Sequence, residues 1–265
     1  AQLFESAKDD LMLFRRVFLP VEDEVKTPSF QEEWGNILLH GKNHYAVEGF
    51  RESGKSGVVL RAFPFHCLTF PSKDKRYVVF IMANQRLASK RLKEIEDEWL
   101  SNELLSMNLV KIVEQSQTGF EVIVTDEEGE EMWVRFEAYG KGASIRGLNV
   151  HDCRPSIVLI DDPQDIEDAK SDTVQESDWE WFLSDVNFLG KKTRIFMIGN
   201  NLGEKCLIER VIENQKDLKF IGVRIPILDA EGNSVWPERW TSEEIKAERE
   251  AFRRIGNLDV WEREK

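Results

Sequence analysis

Eight residues carry the clearest chemical pattern in the chain: Gly49-Phe50-Arg51-Glu52-Ser53-Gly54-Lys55-Ser56, followed by Gly57. They fit the phosphate-binding pattern G-x-x-x-x-G-K-[ST] at each fixed position. Gly49 and Gly54 permit a tight turn in which successive backbone N–H groups face one anion. Lys55 has the reach to neutralise β- and γ-phosphates, and the Ser56 hydroxyl suits Mg²⁺. Glu52, Ser53 and Gly57 complete the expected ATP-contacting stretch. Two further signals follow. Ser156–Ile160 is a short apolar run that ends in Asp161-Asp162, and 192–198 is another that ends in Gly199-Asn200-Asn201. Asp161 is the candidate metal acid, and Asp162 the candidate for orienting or deprotonating an attacking water. Arg51 has the reach to contact the γ-phosphate, with a solvent-facing loop Arg as the alternative. Asn200 is placed to sense that phosphate, with helix capping as the alternative. Arg146 lies in a Gly-rich loop and suits either an arginine finger for a neighbouring subunit or a salt bridge to a local acid such as Asp152. Gln31 and Phe30 are candidate adenine contacts, with a surface Gln and a core Phe as the alternatives.

These groups must be held by strands and helices. The expected strands are 43–48, 76–83, 120–125, 132–138, 156–160, 192–198 and 218–228, with 120–125 and 132–138 forming a hairpin around Asp126–Gly129. The expected helices are 1–19, 30–39 capped by Ser29, 56–67 kinked or ended by Pro64, 85–105, 177–189 and 241–254. An acidic loop joins Pro20 to Thr27. Strands alternating with helices imply a mostly parallel α/β sheet, and ligands on such sheets bind at the carboxyl ends of strands. An entire strand, 76–83, separates the phosphate loop from the acid strand in sequence. This favours the RecA-like additional-strand class of P-loop ATPase over simple nucleotide kinases and GTPases.

The net charge of −13 argues against tight nucleic-acid binding by the whole surface. Two local clusters, Lys73/Lys75/Arg76 and Arg86/Lys90/Arg91/Lys93, read as DNA contacts or as solvated faces. No apolar run reaches membrane-spanning length. Three widely spaced cysteines suggest a reducing compartment and buried small side chains, and the four histidines have no metal-ligand spacing.

In these residues the chain resembles the ATPase domain of the large terminase subunit of tailed bacteriophages. The resemblance rests on Thr27-Pro28-Ser29-Phe30-Gln31, the Arg-containing phosphate loop, Asn84–Ala88, Ile145-Arg146-Gly147, Arg154-Pro155, Ile157–Asp162 and Ile198-Gly199-Asn200. It implies an ATP- and Mg²⁺-dependent motor that drives double-stranded DNA into a procapsid. It also implies a homo-oligomeric ring, portal protein and small terminase subunit as partners, weak DNA contact by the isolated domain, no membrane, and a host-cytoplasmic setting. By that likeness Arg51 is the internal Arg, Arg146 a trans-acting Arg and Gly199-Asn200-Asn201 the coupling motif. Residues 1–228 form the core and 229–265 a lid or linker toward a nuclease domain that this sequence lacks, so no DNA cleavage by this chain alone is expected. The family commonly has Glu where Asp162 stands, which leaves Asp165, Glu167 and Asp168 as alternative bases. A helicase or other DNA-dependent ATPase of the same class, and a non-hydrolysing nucleotide-gated module, are the other functions compatible with this pattern.

Overall fold

The computed structural model describes residues 2–20 and 25–265. The acidic segment 21–24 and Ala1 lie outside the described residues.

The amino-terminal segment is two helices rather than one: α1 (Gln2–Lys8) and α2 (Leu11–Phe18). Asp10 interrupts the run because its carboxylate accepts from the Met12 and Leu13 amides and so starts α2. Helix α3 (Ser29–His40) follows Pro28, and no side chain caps it, so Ser29 is its first residue and not its cap. Strand β1 (His44–Gly49) leads into the phosphate loop. The helix after the loop runs as α4 (Lys55–Gly57), a π-turn (Val58–Ala62) and α5 (Phe63–Thr69). Pro64 neither ends nor breaks it. The wider i→i+5 turn, in which the Phe63 N–H donates to the Val58 carbonyl, takes up the missing donor and the ring.

Strand β2 (Tyr77–Met82) is followed by α6 (Gln85–Ser101), capped by Asn84. Three antiparallel strands come next: β3 (Leu109–Gln115), β4 (Gly119–Thr125) and β5 (Glu131–Gly140). The β4–β5 hairpin is as expected, but β3 is a further strand at the sheet edge. Its β-branched Val110, Ile112 and Val113 are the signal for it. Its exposure and two register irregularities remove the alternating pattern that marks a half-buried strand. The remaining elements are β6 (Ile157–Asp161), α7 (Ile166–Ala169), α8 (Asp172–Trp181) with a π-turn at Phe182–Val186, β7 (Arg194–Gly199), α9 (Leu207–Glu213), α10 (Gln215–Leu218), β8 (Phe220–Ile225), α11 (Ser242–Arg254) and α12 (Leu258–Glu264).

Among the described residues, eight strands form one sheet in the order β3-β4-β5-β2-β6-β7-β1-β8, and all neighbours from β5 to β8 are parallel. Alternate residues of β6 serve opposite cores. Ile157 and Leu159 pack with α2, α3, α5 and α6, whereas Val158 and Ile160 pack with the α8 and α9 side. The strand between the phosphate-loop strand and the acid strand in the sheet is β7, not 76–83. Strand β2 lies on the far side of β6. The additional-strand inference therefore holds through a different strand from the one the sequence suggested.

Candidate functional site

Because β1, β6 and β7 are parallel neighbours, their carboxyl ends place the phosphate loop, Asp161-Asp162 and Asn200 on one sheet edge. Residues 51–57, Asp162, Asp165, Asn200 and Glu264 line a cleft of about 660 Å³ there.

Lys55 is nearly fully buried, and its ammonium donates to the Gly49 and Phe50 carbonyls at 2.7 and 3.0 Å. A third bond, at 2.7 Å, goes to the Asn200 Oδ1 at the end of β7. Burial pushes the Lys55 ammonium below its usual range, while the nearby Asp162 and Asp161 charges oppose that shift. The Ser56 hydroxyl donates to Asp161 Oδ2 at 2.8 Å. Asp161 is pushed up to about 7, first by desolvation and then by the adjacent Asp162 charge. Its second oxygen, Oδ1, is buried with no hydrogen-bond partner, as is the Ser53 hydroxyl oxygen. A carboxylate with one oxygen on a Ser hydroxyl and the other unsatisfied fits a divalent cation. Among the described residues, no group of three His, Cys, Asp or Glu is arranged to hold a metal alone. Ser56 and Asp161 would thus share such an ion with phosphate and water oxygens.

The site stores backbone strain on both sides. Glu52 has φ of 66° in the loop and Asp162 φ of 40° beyond β6, whereas Gly54 takes φ of 82° without steric cost. The Asp162 carboxylate accepts from the Asn200 N–H at 3.1 Å, and burial raises its proton affinity.

Gln31 lies behind the loop. It is fully buried, donates to the Ser53 carbonyl at 2.7 Å and accepts from Arg15 at 3.1 Å. It therefore braces the loop from the core side. A Cβ on Gly54 would come within 2.5 Å of its amide nitrogen. We expect Gly54→Ala to cost about 2–3 kcal/mol, from left-handed strain and a lost buried hydrogen bond. A thermal melt should show this as a midpoint roughly 4–12 °C lower; an unchanged midpoint would refute the brace. Phe30 is core, tilted against Trp34 and edge-to-face with Phe50 and Trp236.

Arg51 is exposed, and its guanidinium pairs with Glu264 at 3.3 Å. Arg146 lies outside the cleft lining. Its Nε donates to the Ser184 carbonyl at 2.9 Å and lies 3.4 Å from Asp185, so its local acid is Asp185 rather than Asp152. Of the alternative bases, Asp165 caps α7 and Asp168 pairs with Lys141 at 2.7 Å. Glu167 pairs with Lys170 at 2.7 Å. The Lys90, Arg91 and Lys93 cluster is a solvated helix face, paired with Glu94, Glu96 and Asp97. Cys67 and Cys206 are buried, whereas Cys153 is half-buried and receives a contact from Arg76. His66, buried and bonded to the Lys8 carbonyl, is structural as expected. Arg15, Glu264 and the tail helix α12 were missed by sequence reasoning.

No protein-family model matches the chain, and no curated protein sequence matches it. Solved structures do. The HK97 bacteriophage large terminase superposes with a TM-score of 0.58 at 13% identity, over 97% of this chain and 54% of that one. A large terminase ATPase domain from a Thermus phage, a mutant form, superposes with a TM-score of 0.53 at 12% identity, over 91% and 92% of the two chains. The chain thus spans about half the length of the HK97 protein. The chain shares with these two terminase structures an α/β, RecA-like fold. Among the described residues, no helix is long and apolar enough to cross a membrane.

Proposed function

We propose that this chain binds ATP with Mg²⁺ and hydrolyses it to move double-stranded DNA into a viral procapsid, as the ATPase domain of a large terminase. The observation that carries the nucleotide reading is the convergence of Lys55, the Ser56–Asp161 pair and Asn200 on one edge of a parallel sheet. The DNA-packaging role rests on the fold shared with terminases.

In this reading, the loop amides and Lys55 hold the phosphates. Lys55 exchanges its Asn200 contact for a phosphate oxygen, so that Asn200 reports occupancy to β7. Glu52, Ser53, Gly54 and Gly57 line the phosphate path, and Gly49 keeps the turn tight. Ser56 and Asp161 would hold a magnesium ion, which would supply charge neutralisation on the phosphates. Asp162 takes the water-orienting role. Its raised proton affinity suits a base, whereas Asp165 caps α7 and Asp168 pairs with Lys141; Glu167 also lines the cleft, held only by an exposed pair with Lys170. Gln31 acts by positioning the loop. Arg51 serves its own site. Arg146, exposed and outside the cleft, acts on a neighbouring protomer of a ring. Residues 229–265 are the lid or linker, and the portal protein and small terminase subunit are the partners of the assembled motor.

The test is turnover with and without duplex DNA and procapsids. Arg146→Ala should lower assembled turnover at least tenfold, with nucleotide affinity changed less than twofold. Loss of affinity instead would make Arg146 structural. Strand separation of a tailed duplex would indicate a helicase, and phosphate release at the buffer rate in the assembled ring would indicate a nucleotide-gated module.

A further inference from the structure

Among the cleft carboxylates that the hydrolysis chemistry does not use, one is brought in by the tail helix. Glu264, near the end of α12, lines the cleft together with Lys55, Asp162 and Asn200. It is tied to the phosphate loop twice: the Arg51 N–H donates to the Glu264 carbonyl at 2.7 Å, and the Arg51 guanidinium meets its carboxylate at 3.3 Å. Its charge also acts on both Lys55 and Asp162. A second pair of opposite polarity, Arg239 with Glu52 at 3.4 Å, joins the same loop to the segment before α11.

The tail is itself anchored to the core. The Ile227 N–H donates to the Lys265 carbonyl at 3.0 Å, and the Trp236 indole N–H donates to the Lys26 carbonyl at 2.9 Å. Lys265 sits 4.5 Å from the Trp240 ring centre. The carboxylate is therefore delivered into the cleft by a packed element.

We propose that Glu264 is an internal competitor for the phosphate site, holding Arg51 until a nucleotide phosphate displaces it and frees α12 from the loop. This rests on the reading that the cleft takes a nucleoside triphosphate. The physical basis is an unequal contest. The Arg51 side chain is 67% exposed, so its pair with Glu264 is a solvent-screened one that contributes little. A phosphate offers the same guanidinium a bidentate partner of higher charge beside Lys55. A carboxylate and a phosphate cannot both stay close to Arg51 without mutual repulsion, so occupancy of the loop and docking of the Glu264 side chain oppose one another.

The experiment titrates the full chain with a non-hydrolysable Mg²⁺–ATP analogue, comparing wild type, Glu264→Gln, Arg51→Ala and the double variant. Glu264→Gln leaves the backbone bond from Arg51 in place, and its melting midpoint serves as the fold control. It should bind the analogue roughly two- to fivefold more tightly than wild type. In the Arg51→Ala background the gain should vanish. Analogue binding to wild type should also speed hydrogen exchange across 258–264. Unchanged or weaker binding by Glu264→Gln, or exchange in α12 that ignores the analogue, would overturn the proposal while leaving the ATPase reading intact. A gain that persists in full without Arg51 would overturn it too, in favour of general repulsion. Wild type that binds no nucleotide would remove both readings.

Discussion

Lys55→Met is expected to weaken binding of an Mg²⁺–ATP analogue by roughly a hundred- to ten-thousandfold, and to abolish turnover. Two charge-assisted contacts to phosphate at about 1.5–3 kcal/mol each, with tenfold per 1.4 kcal/mol, give that range. Methionine keeps the apolar stem of a side chain that is only 6% exposed, so packing around α4 is largely retained. Some stability will be lost all the same. The Gly49 and Phe50 carbonyls lose their Lys55 donor, and so does Asn200 Oδ1. Titration calorimetry on folded protein separates the two effects, since a modest drop in melting midpoint cannot account for a hundredfold loss of affinity. Affinity within threefold of wild type would mean that the ammonium does not meet the phosphates, and the ATPase reading would fail with it.

The sequence was legible where chemistry depends on a residue type at a strand end. The loop at Gly49, Asp161-Asp162 and Asn200 each follow an apolar run directly, and parallel strands put such ends on one edge of the sheet whatever their order. Order itself was not legible. Strand β7 enters between β6 and β1 through pairings such as Ile160 with Met197 and Val47 with Ile198, which link segments far apart in the chain. No local pattern encodes which strands become neighbours. The same limit explains Gln31, whose amide reaches Ser53, and Glu264, which reaches Arg51. Local misreadings had a different origin. Helical spacing from Leu3 to Phe18 runs across Asp9-Asp10, and spacing alone takes no account of a carboxylate that caps α2 from within the run. Pro64 signals a break only if the helix keeps i→i+4 bonding, and the π-turn ahead of it does not. Helix α12 had a signal in the spacing of Leu258 and Trp261, but it is only seven residues long.

Asp161→Asn should abolish turnover and, without nucleotide, make the protein more stable than wild type at pH 8. The sign follows from burial. Folding raises Asp161 from the ordinary 3.8 to about 7. Below pH 4 the group is protonated in both states and does not affect the balance. Between pH 4 and 7 the unfolded chain has lost the proton while the folded chain keeps it, so the folded state loses ground as pH rises, and the loss levels off above 7. Asparagine carries no proton to lose and can still accept from Ser56. Glu48, raised to about 7 by burial and by Glu209, adds a slope of the same sign to both proteins. His66, which burial pushes well below its usual range, adds one of opposite sign to both. The readout is therefore the difference in melting midpoint between variant and wild type at pH 5, 6, 7 and 8, which should grow by several degrees across the series. Magnesium with an ATP analogue should reverse the order at pH 8, because the cation partners the ionised Asp161, including the Oδ1 that otherwise has no partner. Turnover should fall by at least a hundredfold, since charge neutralisation by a bound metal contributes several kcal/mol at the transition state. A difference that stays flat with pH would show that Asp161 is ionised in the folded protein throughout. If Mg²⁺–analogue stabilised the Asn variant as much as wild type, the metal would be held elsewhere, and the Ser56–Asp161 pair would reduce to a hydrogen bond between a helix and a strand end.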